Sequence, residues 1–128
     1  EWAARQAPFA QVLHPALPAS PGHAHWQAVC GAADAAGQGA AASLFSVVIG
    51  EKFSREQVDA FCDALRLFRI GYSWGGPFSL VMPYELQTMR HDWPAHLARG
   101  TLVRFAIGLE DTADLQGDLQ HAMQQTLA

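Results

Sequence analysis

The sequence has few charged residues and almost no lysine, and these shortages exclude several classes of protein. Only 16% of its 128 residues are charged, and the formal net charge is −4. Lys52 is the one lysine and the arginines are scattered, so no basic stripe is present that could bind nucleic acid or an anionic membrane surface. No apolar run approaches the length of a membrane span, and the first residues lack a signal-peptide pattern. A small metabolite or another protein is therefore the expected partner.

Motifs that usually carry catalysis or metal binding are also missing. Cys30 and Cys62 have no Cys-x-x-Cys spacing, and each falls in an apolar helical pattern, so we expect buried, reduced thiols in a cytoplasmic protein. The sequence has no Ser-His-Asp set and no nucleotide-binding glycine motif. His23 and His25 would point about 200° apart on a helix, which argues against a shared metal ion. The sequence predicts a receptor surface without an evident nucleophile or base.

The apolar content is sufficient for one folded domain, which we place at residues 1–128. Half of the residues are hydrophobic, which is ample for a core. Strands are predicted from β-branched and aromatic runs and from apolar segments bounded by Gly or Pro, at 9–13, 43–49, 67–70, 79–82 and 100–108. Short strands with few long crossovers favour an α+β fold: a mostly antiparallel sheet of about four to five strands, covered by helices on one face.

Helix boundaries are predicted from capping residues. Ser54 with Gln57 three positions later forms a capping box before an amphipathic helix. Asp111 caps a final helix in which apolar residues recur every four positions. Ser20 is expected to be the N-cap of a first short helix. Residues 31–42, almost all Gly and Ala, form a connector that is either mobile or packed closely against a bulky group.

The stretch from 70 to 80 predicts a constrained loop between two apolar strands. Its three glycines widen the range of accessible backbone angles, and Pro77 fixes φ at its own position. Tyr72, Ser73 and Trp74 lie between the glycines and offer two hydroxyls and an indole N–H, enough to line a small polar pocket. The alternative is a hairpin connection in which the tyrosine and tryptophan are core residues.

Arg104 is the strongest candidate for a binding residue. It falls in the middle of an apolar strand, where a guanidinium is costly unless it is paired or points into a cavity. One interpretation is an internal ion pair with Asp111, Glu110 or Asp92. The other is an anion-binding arginine that faces the loop at 72–74, because its planar fork suits a carboxylate.

Two segments together resemble the C-terminal domain of the Cys/Met-metabolism family of pyridoxal-phosphate enzymes, which have fold type I. These are Leu-Phe-Arg-Ile-Gly-Tyr-Ser-Trp-Gly-Gly at 67–76 and Gly-Thr-Leu-Val-Arg-Phe-Ala-Ile-Gly-Leu-Glu-Asp-Thr-Ala-Asp-Leu at 100–115. Val-Leu-His-Pro-Ala-Leu-Pro at 12–18 and Ser-Leu-Phe-Ser at 43–46 are also similar to that family. The resemblance covers essentially the whole chain. Ser-Trp-Gly-Gly resembles the bacterial branch that cleaves cystathionine to homocysteine, pyruvate and ammonia.

The resemblance implies a substrate-binding role for this chain. Arg104 would grip the α-carboxylate of a cystathionine-like amino acid, aided by Ser73 and Trp74, with Tyr72 lining the pocket. The full-length enzyme would be a cytoplasmic homo-oligomer that uses pyridoxal phosphate. Alternatives are a sister transsulfuration enzyme, such as a γ-synthase, γ-lyase or sulfhydrylase, and a non-catalytic small-acid-binding or oligomerisation module.

Two departures from the family pattern limit what the resemblance implies. The cofactor domain, with its Schiff-base lysine, is expected upstream, because the chain opens inside what reads as a helix tail and Lys52 matches no such lysine. We therefore expect this chain alone to bind no pyridoxal phosphate and to be inactive. Phe78 stands where the family usually has Glu, which bears on the hydrogen bonding of the loop and on substrate preference.

Overall fold

The computed structural model describes residues 1–31 and 40–128, so most of the Gly/Ala connector lies outside the described residues. A short 3-10 turn at Ala3–Arg5 precedes five strands and four helices. The strands are β1 (Phe9–Leu13), β2 (Leu44–Gly50), β3 (Arg69–Ile70), β4 (Leu80–Tyr84) and β5 (Gly100–Ala106). The helices are α1 (His23–Cys30), α2 (Arg55–Ala64), the single turn α3 (Leu86–Met89) and α4 (Thr112–Thr126).

The sheet has the strand order β1-β2-β5-β4-β3. Three of its four pairings are antiparallel, and only β3 and β4 run parallel. Side chains alternate between the two faces of a strand, so Val103 and Phe105 enter the core while Arg104 points to the opposite face. Residues from α2 and α4 complete the core on the Val103 side. The predicted α+β fold with a mostly antiparallel sheet is confirmed.

Two of the three predicted helix starts are also confirmed. The Ser54 hydroxyl accepts a hydrogen bond from the Gln57 amide, and the Gln57 side chain accepts one from the Ser54 amide, which completes the capping box of α2. The Asp111 carboxylate accepts from the amides of Ala113 and Asp114 at the start of α4. Both helices begin where these local side-chain bonds satisfy the first backbone N–H groups.

The predicted start of α1 was wrong. Gly22 has a φ of 79°, and this left-handed conformation separates Ser20 from the helix, which begins at His23. Ser20 is buried and instead accepts a hydrogen bond from the His14 amide, so it closes the end of β1. Helix α1 has no buried residue, and Cys30 is exposed, contrary to the expectation that both cysteines are buried. Cys62 in α2 is buried, as predicted.

Candidate functional site

Arg104 lies in the middle of β5, with Ser46 of β2 and Met82 of β4 as its neighbours across the sheet. Its Nη2 donates a hydrogen bond of 2.6 Å to the carbonyl oxygen of Tyr72, and the Gly71 carbonyl lies 3.4 Å away. The strand arginine and the predicted loop are therefore in direct contact. This contact agrees with the interpretation in which Arg104 faces the loop at 72–74.

The guanidinium of Arg104 is not paired with a carboxylate in the part of the chain that the structure describes. Its Cζ lies 5.6 Å from the centre of the Tyr84 ring, within the range of a cation–π interaction. Its Nε is buried and has no hydrogen-bond partner among the described residues. An unmet buried donor is unfavourable, so an acceptor that reached this edge would stabilise the guanidinium. The alternative of an internal ion pair was wrong.

The loop from Gly71 to Phe78, called here the binding loop, is not a hairpin. It joins β3 to β4, which are parallel neighbours, whereas a hairpin joins antiparallel strands. Such a short crossover is possible because β3 has only two residues, so the chain has to return only about 7 Å. Tyr72 and Trp74 expose 71% and 66% of their surface, so they are not core residues. Ser73 is exposed beside them.

A network that sequence reasoning missed holds the far end of the binding loop. Both carboxylate oxygens of Glu110 accept hydrogen bonds of 2.8 Å from Ser79, one from its amide and one from its hydroxyl. The Ser79 hydroxyl in turn accepts a bond of 2.9 Å from the Gly108 amide. The hydrogen bonds from Ser79 lower the pKa of Glu110, with a small further effect from Arg69. The sequence signal was a lone serine at the start of an apolar strand.

Arg104 does not line either of two cavities found among the described residues. One has a volume of about 310 Å³ and is apolar, lined by side chains that include Trp2, Phe45 and Leu119. The other, of about 230 Å³, is bounded by residues that include Arg55 and Trp93. Arg104 is instead half-buried, with its guanidinium against the backbone of Tyr72.

Lys52 is remote from Arg104 along the sheet. Ser46 pairs with Arg104 and Gly50 pairs with Gly100, so the turn that carries Lys52 lies at least about 13 Å along β2 from the arginine. The Lys52 ammonium lies over the ring of Phe53 at 4.7 Å. The guanidinium of Arg104 suits a carboxylate. Because Lys52 is the one lysine of the chain, no lysine amine lies at Arg104 to bind an aldehyde cofactor.

Comparison with known proteins places the chain in a family. The family described as Cys/Met metabolism PLP-dependent enzyme matches residues 1–124. The chain belongs to this family. Its match covers both the binding loop and Arg104, and it confirms the resemblance found in the sequence.

The chain is also similar to individual proteins in sequence and in structure. The chain is 38% identical to a cystathionine beta-lyase of Escherichia coli (strain K12), over 93% of this chain and 29% of the relative. It is 32% identical to an L-alanine/L-glutamate racemase of Wolbachia pipientis wMel, over 96% of this chain and 28% of that relative. The crystal structure of an apo methionine gamma lyase from Micromonospora echinospora matches with a TM-score of 0.68 and 28% identity, over 94% of this chain and 29% of that one.

The chain spans less than a third of the length of these relatives. The family is described as PLP-dependent, which implies pyridoxal phosphate in its full-length enzymes. No helix among the described residues is long and apolar enough to cross a membrane.

Proposed function

We propose that this chain is the substrate-carboxylate-binding part of a pyridoxal-phosphate-dependent carbon–sulfur lyase, with cystathionine as substrate. The observation that carries the proposal is the contact between Arg104 and the binding loop, with a buried Nε that has no partner in the described residues. The likeness to a cystathionine beta-lyase over 93% of the chain supports the choice of substrate.

In this role Arg104 binds and orients the substrate. Its fork of N–H donors fits the two oxygens of an α-carboxylate, and the exposed Tyr72, Ser73 and Trp74 border the same surface. Pyridoxal phosphate, when bound to the full-length enzyme, supplies the electron sink that allows the carbon–sulfur bond to break. The role of this chain is to hold one end of the amino acid, which keeps the reacting bond in a single orientation.

The experiment is the kinetic comparison of Arg104→Ala and Arg104→Lys in the full-length enzyme with cystathionine. A charged hydrogen bond contributes about 1.5–3 kcal/mol, so we expect KM to rise about 10- to 100-fold in Arg104→Ala. Arg104→Lys keeps a donor for the Tyr72 carbonyl but loses the planar fork, so a similar rise in its KM would assign the effect to the carboxylate. Arg66→Ala is the control, because Arg66 is exposed and lies outside the site. An unchanged kcat/KM in both Arg104 variants would show that Arg104 is structural.

The racemase relative makes a second activity worth assaying. The amino acids in its name carry the same α-carboxylate that Arg104 would bind. Turnover of alanine or glutamate without release of a thiol from cystathionine would replace the lyase proposal with racemisation. Release of thiol from cystathionine alone would support the lyase.

A further inference from the structure

The binding loop is held at both ends by one segment of the chain, residues 104–110. At its start, Arg104 binds the Tyr72 carbonyl. At its end, Glu110 and Gly108 bind Ser79, and the Leu109 amide donates to the Pro77 carbonyl at 2.9 Å. We call the contacts of Ser79 with Glu110 and Gly108 the Ser79 latch. The position of the loop over Arg104 thus depends on contacts made by Gly108, Leu109 and Glu110, which follow Arg104 within six positions.

The Ser79 latch has the features of a rigid anchor. Ser79 is fully buried, and its amide and hydroxyl hydrogens are both bonded to one carboxylate. Hydrogen bonds to an ionised acceptor are roughly twice as strong as neutral ones. Gly108 approaches the loop so closely that a Cβ there would lie 2.4 Å from the Pro77 carbonyl oxygen. Only a residue without a side chain allows this contact.

We propose that Glu110 is a positioning residue: by holding Ser79 it fixes the binding loop over Arg104 and so sets the affinity for the substrate carboxylate. This inference rests on the proposed function. Both carboxylate oxygens of Glu110 are engaged by Ser79, and the hydrogen bonds of Arg104 go to Gly71 and Tyr72 and not to Glu110. Its effect reaches the site through the short backbone from Ser79 to Trp74.

The first test follows the loop in this chain by amide hydrogen exchange, with Glu110→Ala and the control Glu51→Ala, which removes an exposed carboxylate at the opposite end of β2. We expect the amides of Ser79, Gly108 and Leu109 to exchange at least about tenfold faster in Glu110→Ala. The amides of Val47 and Val48, in the interior of the sheet, should keep their native rates. Unchanged exchange at the amides of Ser79, Gly108 and Leu109 would overturn the proposal.

The second test separates positioning from a purely structural role. In the full-length enzyme, Glu110→Ala should raise KM for cystathionine about tenfold with a much smaller change in kcat, because the loop is misplaced before the chemistry begins. Glu110→Gln should fall between the native enzyme and Glu110→Ala, because its amide oxygen can still accept from the Ser79 amide.

The outcomes distinguish this inference from the proposed function. A native KM in Glu110→Ala, together with a raised KM in Arg104→Ala, would overturn the latch proposal and leave the proposed function standing. A native KM in both variants would overturn both. If Glu110→Ala does not fold, Glu110→Gln carries the same comparison, and faster latch exchange with a native KM would again overturn the proposal.

Discussion

Arg104 places a charge on the central strand of the sheet, and its neighbours offset that cost only in part. The Tyr72 carbonyl and the face of the Tyr84 ring each stabilise the guanidinium, by about 1 kcal/mol for the ring and somewhat more for a charged hydrogen bond. Nε is left without a partner among the described residues. An anion bound at Nε would offset the part of the desolvation cost that the carbonyl and the ring leave uncompensated. This is the physical reason for expecting an anion there.

The two cysteines give a prediction that depends on burial alone. Burial raises the pKa of the Cys62 thiol to about 12, with smaller contributions from Asp59 and Asp63, whereas Cys30 is exposed. At pH 8 we expect Cys30 to react rapidly with a thiol reagent and Cys62 at least about a hundredfold more slowly, because only the thiolate reacts and access requires local opening. Stopped-flow labelling measures both phases.

Cys30→Ser is the control for this prediction, since it should remove only the fast phase. Two fast phases in the native chain would contradict the burial of Cys62. The raised pKa of Cys62 also makes the free energy of unfolding depend on pH. Burial of the neutral thiol stabilises the fold fully below the ordinary pKa of 9.0, and this stabilisation is lost as the pH rises toward about 12.

The elements of the fold differ in how well their own residues predict them. β2, α2 and α4 were predicted because their signals are local: β-branched residues in one run, or a cap followed by an apolar repeat. The parallel direction of β3 could not be predicted, because a connection this short usually joins antiparallel strands. The bond between Ser79 and Glu110 could not be predicted, because it joins residues 31 positions apart in the sequence. One interpretation of the sequence placed Arg104 facing the loop, but the bond from its guanidinium to the Tyr72 carbonyl became visible only in the folded chain.

Two glycines in different elements should respond oppositely to substitution by alanine. Gly100 begins β5 with a φ of 145°, and a Cβ there would lie 1.9 Å from the Ile49 carbonyl oxygen. Gly117 lies in α4, and a Cβ there would meet nothing within 4 Å. We expect Gly100→Ala to lower the free energy of unfolding by about 2–4 kcal/mol and Gly117→Ala to raise it by about 0.5–1 kcal/mol.

Urea denaturation of the two variants beside the native chain measures both changes. Each variant adds the same methyl group, so each serves as the control for the other. A Gly100→Ala chain as stable as the native one would contradict the strand geometry at the start of β5.

On the scale of the whole molecule, several large apolar side chains are exposed in the binding loop and next to it. Leu109, bonded through its amide to Pro77, exposes 86% of its surface, and Ile70, Trp74 and Phe78 are also exposed. A cluster of exposed apolar side chains favours association, because contact removes their surface from water. We therefore expect the chain to self-associate weakly and reversibly at high concentration.

Sedimentation equilibrium over a range of concentrations measures this association. Leu109→Ser should weaken it, since the serine removes apolar area at the surface. Val29→Ser is the matched control, because Val29 is also exposed but lies on α1. A native chain that stays strictly monomeric at high concentration would contradict the prediction.

The position of β5 in the sheet also has a kinetic consequence. β5 is the last strand in the sequence, yet it lies between β2 and β4 and pairs with both. Before it is inserted, β1–β2 and β3–β4 are two separate pairs, and joining Phe45 to Phe105 closes a loop of about 60 residues at an entropic cost. This closure is expected to be a late event in folding. Since β5 also carries Arg104, the charge reaches the binding loop only in the step that completes the sheet, so a chain trapped short of that step lacks the site as well.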